Sequence, residues 1–187
     1  GGLIADLMGL PSTEFTGSGQ VEHKATTTAG FRQHFYGLVP GVSEQKEEEI
    51  KHPLITTAMV DPFNCLWGQK SVQFDGKKWE RPVVDLKLVA EFDKAVGEWM
   101  RKRQRPKLLI STQTKVIEVV VDEKGDWVPL TPLIIVEPQE EDLWALAASL
   151  SSPIVSALAA RQTAGAARSV SRITLSARQL LNLPLPS

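Results

Sequence analysis

The chain has 187 residues, of which 42% are hydrophobic and 23% charged, with a formal net charge of −1. That balance is ordinary for one soluble globular domain, or one domain with an appendage. The apolar runs are too short to span a bilayer, and a single cysteine, Cys65, excludes an internal disulfide and points to a reducing, cytoplasmic compartment. No signal peptide is evident, and the opening Gly1-Gly2, without a Met, reads as the start of a fragment of a longer protein.

Residues 1–25 are rich in Gly, Ser and Thr and read as a linker or the end of a preceding element. Phe31 to Val39 carries aromatic and branched residues that suit a strand, closed by Pro40-Gly41. Ser43 to Lys51 is a polar connection. Leu54 to Val60 predicts a strand stopped by Asp61-Pro62. Ser71 to Phe74 and Lys77 to Glu80 flank Asp75-Gly76, a hairpin signal because both turn positions need positive φ. Asp85 is placed to cap a helix running to about Arg103, with Leu88, Val89, Phe92, Val96, Trp99 and Met100 as its apolar stripe.

Lys107 to Thr112 reads as a strand, as do Lys115 to Val121 and Trp127 to Val136, the last two joined through Lys124-Gly125-Asp126. Pro129 and Pro132 mark the third of these as an edge strand or irregular. Helices follow. Acids at Glu140 to Asp142 precede Leu143 to Leu150, and Ser152-Pro153 ends that helix and opens the next, which runs to about Gly165. Arg172 to Leu175 predicts a short strand, and Ser176 to Gln179 a capping box opening a short helix that Pro184 ends. The fold class is α+β: a mixed sheet with hairpins, one central helix and a C-terminal group of short helices.

Charge is unevenly placed. Arg101, Lys102, Arg103, Arg105 and Lys107 fall together with no acid among them, directly before the apolar Leu108 to Ile110. Such a cluster suits a phosphate backbone; it equally suits a solvated helix end, where cations favour the C-terminal dipole. After Asp142 the only charges are Arg161, Arg168, Arg172 and Arg178. Arginine presents a planar donor fork that fits phosphates and base edges, and four solvated arginines on helix faces are the plainer reading.

Two short motifs look chemical. Phe15 to Gly19 matches an F-x-G-x-G loop for S-adenosylmethionine, but the expected strand before it and helix after it are poor. Asp61-Pro62-Phe63 is similar to part of a D-P-P-[FYW] loop, with Phe63 where the second proline belongs, and reads as an Asp-Pro turn. His23, His34 and His52 have no metal-ligand spacing with Cys65, so no metal site is expected.

The order of the second half resembles a known family. Arg105-Pro106-Lys107-Leu108-Leu109-Ile110 is followed by Glu118 to Asp122, Lys124-Gly125 and Thr131 to Pro138. Then come Leu143 to Pro153 and the closing Ile173 to Pro186. With Thr27 to Arg32 and Phe35 to Val39, this resembles the C-terminal target-recognition domain of adenine-N6 DNA methyltransferases of restriction-modification and phage-defence systems. There a K-P-K-[IL]-[IL] strand precedes a D-x-x-G hairpin and an L-N-S-P-like helix break. Here Arg105 replaces the first Lys and Ser151 the usual Asn.

The resemblance implies a DNA target-recognition-like domain over residues 26–187, noncatalytic by itself and holding no cofactor. A separate N-terminal Rossmann-like methyltransferase domain, absent from this chain, would use S-adenosylmethionine on a flipped adenine. The implied partners are double-stranded DNA, that catalytic domain and other restriction-modification subunits, with no membrane. Phosphate contacts are expected from Arg101, Lys102, Arg103, Arg105 and Lys107, and next from Arg161, Arg168 and Arg172. Base reading is expected from Gln113, Thr114 and Lys115, and from Arg32, Gln33 and His34. Two rivals stand beside this: a subunit-docking module using the Ala-rich helices Leu143 to Ala164, and an enzyme domain binding S-adenosylmethionine at Gly17 to Gly19.

Overall fold

The computed structural model describes residues 6–7, 9, 19–21, 25–29, 32–46, 51–139, 143–164 and 172–185, with the side chains of Ala29, Arg32, Gln33 and His34 outside the description. The fold is α+β. In chain order the first half comprises β1 (Gly19–Gln20), β2 (Ala25–Ala29), α1 (Arg32–Leu38), β3 (Val42–Glu44), β4 (His52–Ile55), β5 (Val60–Asp61), β6 (Asn64–Cys65), β7 (Val72–Phe74), β8 (Lys77–Trp79), β9 (Pro82–Val84), α2 (Leu86–Phe92) and α3 (Lys94–Arg101). The second half comprises β10 (Lys107–Ile110), β11 (Gln113–Thr114), β12 (Val119–Asp122), β13 (Val128–Pro129), β14 (Ile134–Pro138), α4 (Leu143–Leu150), α5 (Pro153–Thr163), β15 (Ile173–Thr174), α6 (Ala177–Leu181) and β16 (Pro184–Leu185).

The central sheet is antiparallel, in the order β12-β10-β14-β2. Its inner strands are apolar on both faces because both faces are covered. Leu108, Ile110, Val119, Ile134 and Val136 turn to a core shared with Leu146, Leu150, Val155, Ala159 and Leu180 of the C-terminal helices. Leu109, Val120 and Ile135 turn the other way, onto Ile55, Met59, Val60 and Val72. A second sheet, β13-β4-β9-β3, carries α1 to α3 over a third cluster around Leu54, Val84, Val89, Val96 and Met100. Among the described residues no single helix is long and apolar enough to cross a membrane.

Local signals with a steric cause are realised. Asp75 and Gly76 take φ of 51° and 71° in the β7–β8 hairpin. Asp85 accepts from the backbone N–H groups of Lys87 and Leu88. The capping box at Ser176 and Gln179 is complete. Pro153 opens α5, although the Ser152 side chain makes no capping hydrogen bond.

Four expectations are corrected. Phe31 to Val39 is a helix over Arg32–Leu38, not a strand. Phe35 and Leu38, one turn apart, reach the same core, and Gly37 lies where an added Cβ would stand 2.7 Å from Val96 Cγ2. Tertiary packing here overrides the β preference of aromatic residues. The single helix to Arg103 is two helices, broken at Asp93, whose extended backbone (φ −142°) and side chain cap α3 through the Val96 N–H at 3.0 Å. Gly97 lets α3 close on Ala90 of α2, where an added Cβ would lie 2.6 Å from the alanine's own. The Leu54 to Val60 strand stops at Ile55 and passes through a 3-10 turn, Thr57–Met59. Trp127 to Val136 divides around a cis Thr131–Pro132 peptide: Pro129 lies on the edge strand β13, whereas β14 is interior.

Lys107 is also corrected, as a phosphate ligand. Its side chain is fully buried, and its ammonium donates to Asp122 Oδ2 at 2.5 Å and to the carbonyls of Gly125 and Arg105 at 3.3 and 3.4 Å. Asp122 in turn accepts from the N–H groups of Gly125, Asp126 and Trp127 at 2.9, 3.1 and 3.0 Å. Each ammonium proton and each carboxylate lone pair has a partner, the condition under which a buried ion pair is tolerated. Gly125 is required: its φ is +75°, and a Cβ would lie 2.4 Å from the Arg105 backbone. The D-x-x-G pattern is thus a structural turn. Burial pulls the Lys107 ammonium below the ordinary lysine value, with Asp122 opposing.

Lys107→Ala is expected to lower the unfolding free energy by about 3–5 kcal/mol, because Asp122 would keep a buried charge without its cation. Asp122→Ala should cost at least as much, since three backbone donors also lose their acceptor. Urea denaturation measures both.

Candidate nucleic-acid interface

The run of cations at 101–107 does not form one surface. Arg101 and Lys102 are exposed at the end of α3. Arg103 lies over the Trp99 ring, 4.1 Å from its centroid, and donates to the Trp99 carbonyl at 3.0 Å and to Thr28 Oγ1 at 3.3 Å. Burial lowers its guanidinium from the ordinary value, against the pull of Glu137. Arg105 donates through Nε to Glu137 Oε1 at 3.0 Å and through Nη2 to Oε2, and that hydrogen bonding raises its affinity for its proton. Arg103 therefore ties the end of α3 to β2, and Arg105 ties the segment before β10 to β14, so of the cations in this run expected to meet phosphate Arg101 and Lys102 are the two that make no such tie.

A different place concentrates chemistry. Where β10 ends, the chain runs through Ser111 and Thr112 into β11, which pairs with β15: Gln113 faces Thr174 and Thr114 faces Ile173. One further step in that register sets Lys115 opposite Arg172. Both line a cleft of about 620 Å³, together with Gln113, Thr114, Lys70, Asp61 and Glu118. Gln113, Lys115, Arg172 and Lys70 are exposed. The loop is held at both ends. Leu175 N–H donates to the Thr112 carbonyl at 3.1 Å and Ser111 N–H to the Glu118 carbonyl at 3.2 Å. Between them the Thr114 hydroxyl donates to the Val116 carbonyl, and Ile117 N–H donates to Ser156 Oγ of α5 at 3.0 Å.

Two acids, Asp61 and Glu118, line the same cleft. Burial is the main cause that pushes the Glu118 carboxyl above the ordinary carboxylate range; Asp61 adds to it and Lys70 opposes it. The cleft thus mixes the cations Lys70, Lys115 and Arg172 with the acids Asp61 and Glu118. Lysine and arginine hold phosphates. The glutamine amide matches the paired donor and acceptor of adenine, and a carboxylate accepts from the cytosine amino group.

The remaining expected positions fall elsewhere. Arg161, on α5, pairs with Asp6 at 2.6 Å. Arg168 lies outside the described residues, as do the side chains of Arg32, Gln33 and His34. The Phe15 to Gly19 loop lies outside them too, except for Gly19, which is in β1. Asp61-Pro62-Phe63 forms the tight turn between β5 and β6. Among the described residues no three His, Cys, Asp or Glu side chains gather to hold a metal. Lys70 was not singled out from sequence, and Asp61 and Glu118 were named there only as parts of a turn motif and of a strand, because nothing local brings these charges together.

No protein-family model matches the chain, and no curated protein matches it in sequence.

The folded chain holds the Glu118 proton more tightly than the unfolded chain does. Its stabilising contribution is therefore complete below the ordinary carboxylate value and lost as pH rises through the raised one. Glu118→Gln is expected to flatten the dependence of Tm on pH just above the ordinary carboxylate range and to raise Tm slightly at pH 7. Thermal unfolding across a pH series checks this.

Proposed function

We propose that this chain is a DNA target-recognition domain, noncatalytic by itself, of an adenine-specific, S-adenosylmethionine-dependent DNA methyltransferase of the restriction-modification or phage-defence type. The observation that carries the reading is the cleft that gathers Gln113, Thr114, Lys115 and Arg172 from two distant segments. In this reading Lys115 and Arg172, with Arg101 and Lys102 as outlying contacts, position the phosphates, and Gln113 and Thr114 read base edges. Asp61 and Glu118, in the same cleft, repel misplaced phosphates. Methyl transfer belongs to a separate domain that holds S-adenosylmethionine, and the cytoplasm, where the single cysteine stays reduced, fits this work.

The test is anisotropy of labelled duplex DNA over a series of salt concentrations. Binding is expected with a log–log salt slope of several units. Lys115→Ala and Arg172→Ala should each weaken it and lower the slope by about 0.9. Lys87→Ala, at an exposed lysine of α2 outside the cleft, should leave the slope unchanged. No binding at low salt would reject the reading.

A second reading, a subunit-docking module, is favoured by Trp144 and Ile154, both nearly half exposed on α4 and α5. A concentration-dependent mass by light scattering, unaffected by DNA, would support it instead.

A further inference from the structure

A second hollow, of about 440 Å³, lies where two hydrophobic clusters meet. Phe35, Phe74 and Leu130 belong to one cluster and Val72 to the other, and all four line it. Four segments distant in sequence wall it: α1, the 3-10 turn after β4, the β7–β8 hairpin and the stretch after β13. Side chains anchored on separate elements leave a gap at such a junction, and its volume is that of a small-molecule site. Thr57 and Ala58 of the 3-10 turn line both this cavity and the cleft, so the two hollows share that turn as a wall.

The lining has a definite chemistry. Phe35 and Phe74 stand edge to face, 4.9 Å between centroids and 72° apart, an arrangement against which a third aromatic ring packs. Asp75, in the hairpin turn, is the one charged side chain among the described residues that line the cavity. Lys77 and Lys78 of the same hairpin do not line it, and Lys70, beside Ser71, lines the cleft instead. An anion finds no cation among these residues, whereas a cation finds a carboxylate and two aromatic rings. Thr56 adds an acceptor. It lines the cavity, it is 8% exposed, and its hydroxyl has no hydrogen-bond partner among the described residues. A buried hydroxyl left so is costly unless something else supplies the partner.

We infer, independently of the DNA reading, that this cavity binds a small aromatic cation. The ring packs against Phe35 and Phe74, and the charged head is balanced by Asp75 and hydrogen-bonded to wall oxygens such as that of Thr56. A nucleic-acid strand does not suit the cavity, because no cation among the described lining residues would hold its phosphates. A carboxylate ligand would meet Asp75 as a like charge.

Isothermal titration of the whole chain with three probes of similar shape tests this: phenethylamine, 2-phenylethanol and 3-phenylpropionate. Phenethylamine is expected to bind about fivefold more tightly than the alcohol, with the carboxylate weakest. Asp75→Asn should bring the ratio of amine to alcohol to about one in an intact hairpin, since Asn-Gly also accepts positive φ at both turn positions. Thr56→Val should weaken binding of the amine with no fall in Tm, because the free protein loses no hydrogen bond. Ser71→Trp, at an exposed position that lines this cavity and not the cleft, should abolish binding of all three probes. Equal affinity for the three, or a preference for the amine that survives both Asp75→Asn and Thr56→Val, would overturn the assignment of a cation. No heat with any probe would overturn the site itself. Binding that persists in Ser71→Trp would put the probes elsewhere on the chain and overturn it as well.

Discussion

The buried ion pair between Lys107 and Asp122 is the constraint on which the rest of the structure depends. It joins opposite residues of the first rung between β10 and β12, so it sets the register of the central sheet's inner strand. A slip by one residue would leave an ammonium and a carboxylate buried without partners, and would turn Leu108 and Ile110 to the wrong face. Through its three backbone donors, Asp122 also shapes the turn that carries the chain out of β12 toward β13. The glycine of that turn admits the Arg105 backbone at a distance no side chain allows.

From this rung the electrostatics of the first basic run follow. Lys107 faces inward because alternation along β10 and the presence of Asp122 both require it. Arg105, two residues earlier, reaches Glu137 on β14. Arg103 lies flat on Trp99 and ties the end of α3 to β2 through Thr28. Each cation is taken up by a partner that also joins two elements. Three cations of this dense basic segment thus serve as fasteners, two of them paired with carboxylates, while Arg101 and Lys102 stay exposed.

The cleft is built differently. Lys115 and Arg172 flank the β11 and β15 pairing, which brings them together beyond the end of β10. Asp61 and Glu118 line the same cleft, and Glu118 resists ionisation chiefly because it is buried, with Asp61 adding to the effect. A cleft of mixed charge discriminates among charged ligands more than it attracts them.

Much of the fold was legible in the sequence wherever the determining physics is local. The Asp75-Gly76 hairpin, the Asp85 cap, the break at Ser152-Pro153 and the box at Ser176 all depend on a few adjacent residues and on the steric limits of φ. The apolar strands at Leu108 to Ile110 and Val119 to Val121 were legible for a similar reason, since burial on both faces demands continuous hydrophobicity. The helix at Arg32–Leu38, the break at Asp93 and the interior place of β14 were not. Each is decided by what packs against it: Val96 at Gly37, Ala90 at Gly97, β10 and β2 around β14. The same division holds for the site. The residue types at Gln113 to Lys115 and at Arg172 suit nucleic-acid chemistry, but so does Lys107, and sequence offers no means of separating an exposed cation from a buried one. Whether a cation faces water or a buried carboxylate depends on the dielectric and the partners that distant segments provide. That choice is made only when the chain closes on itself.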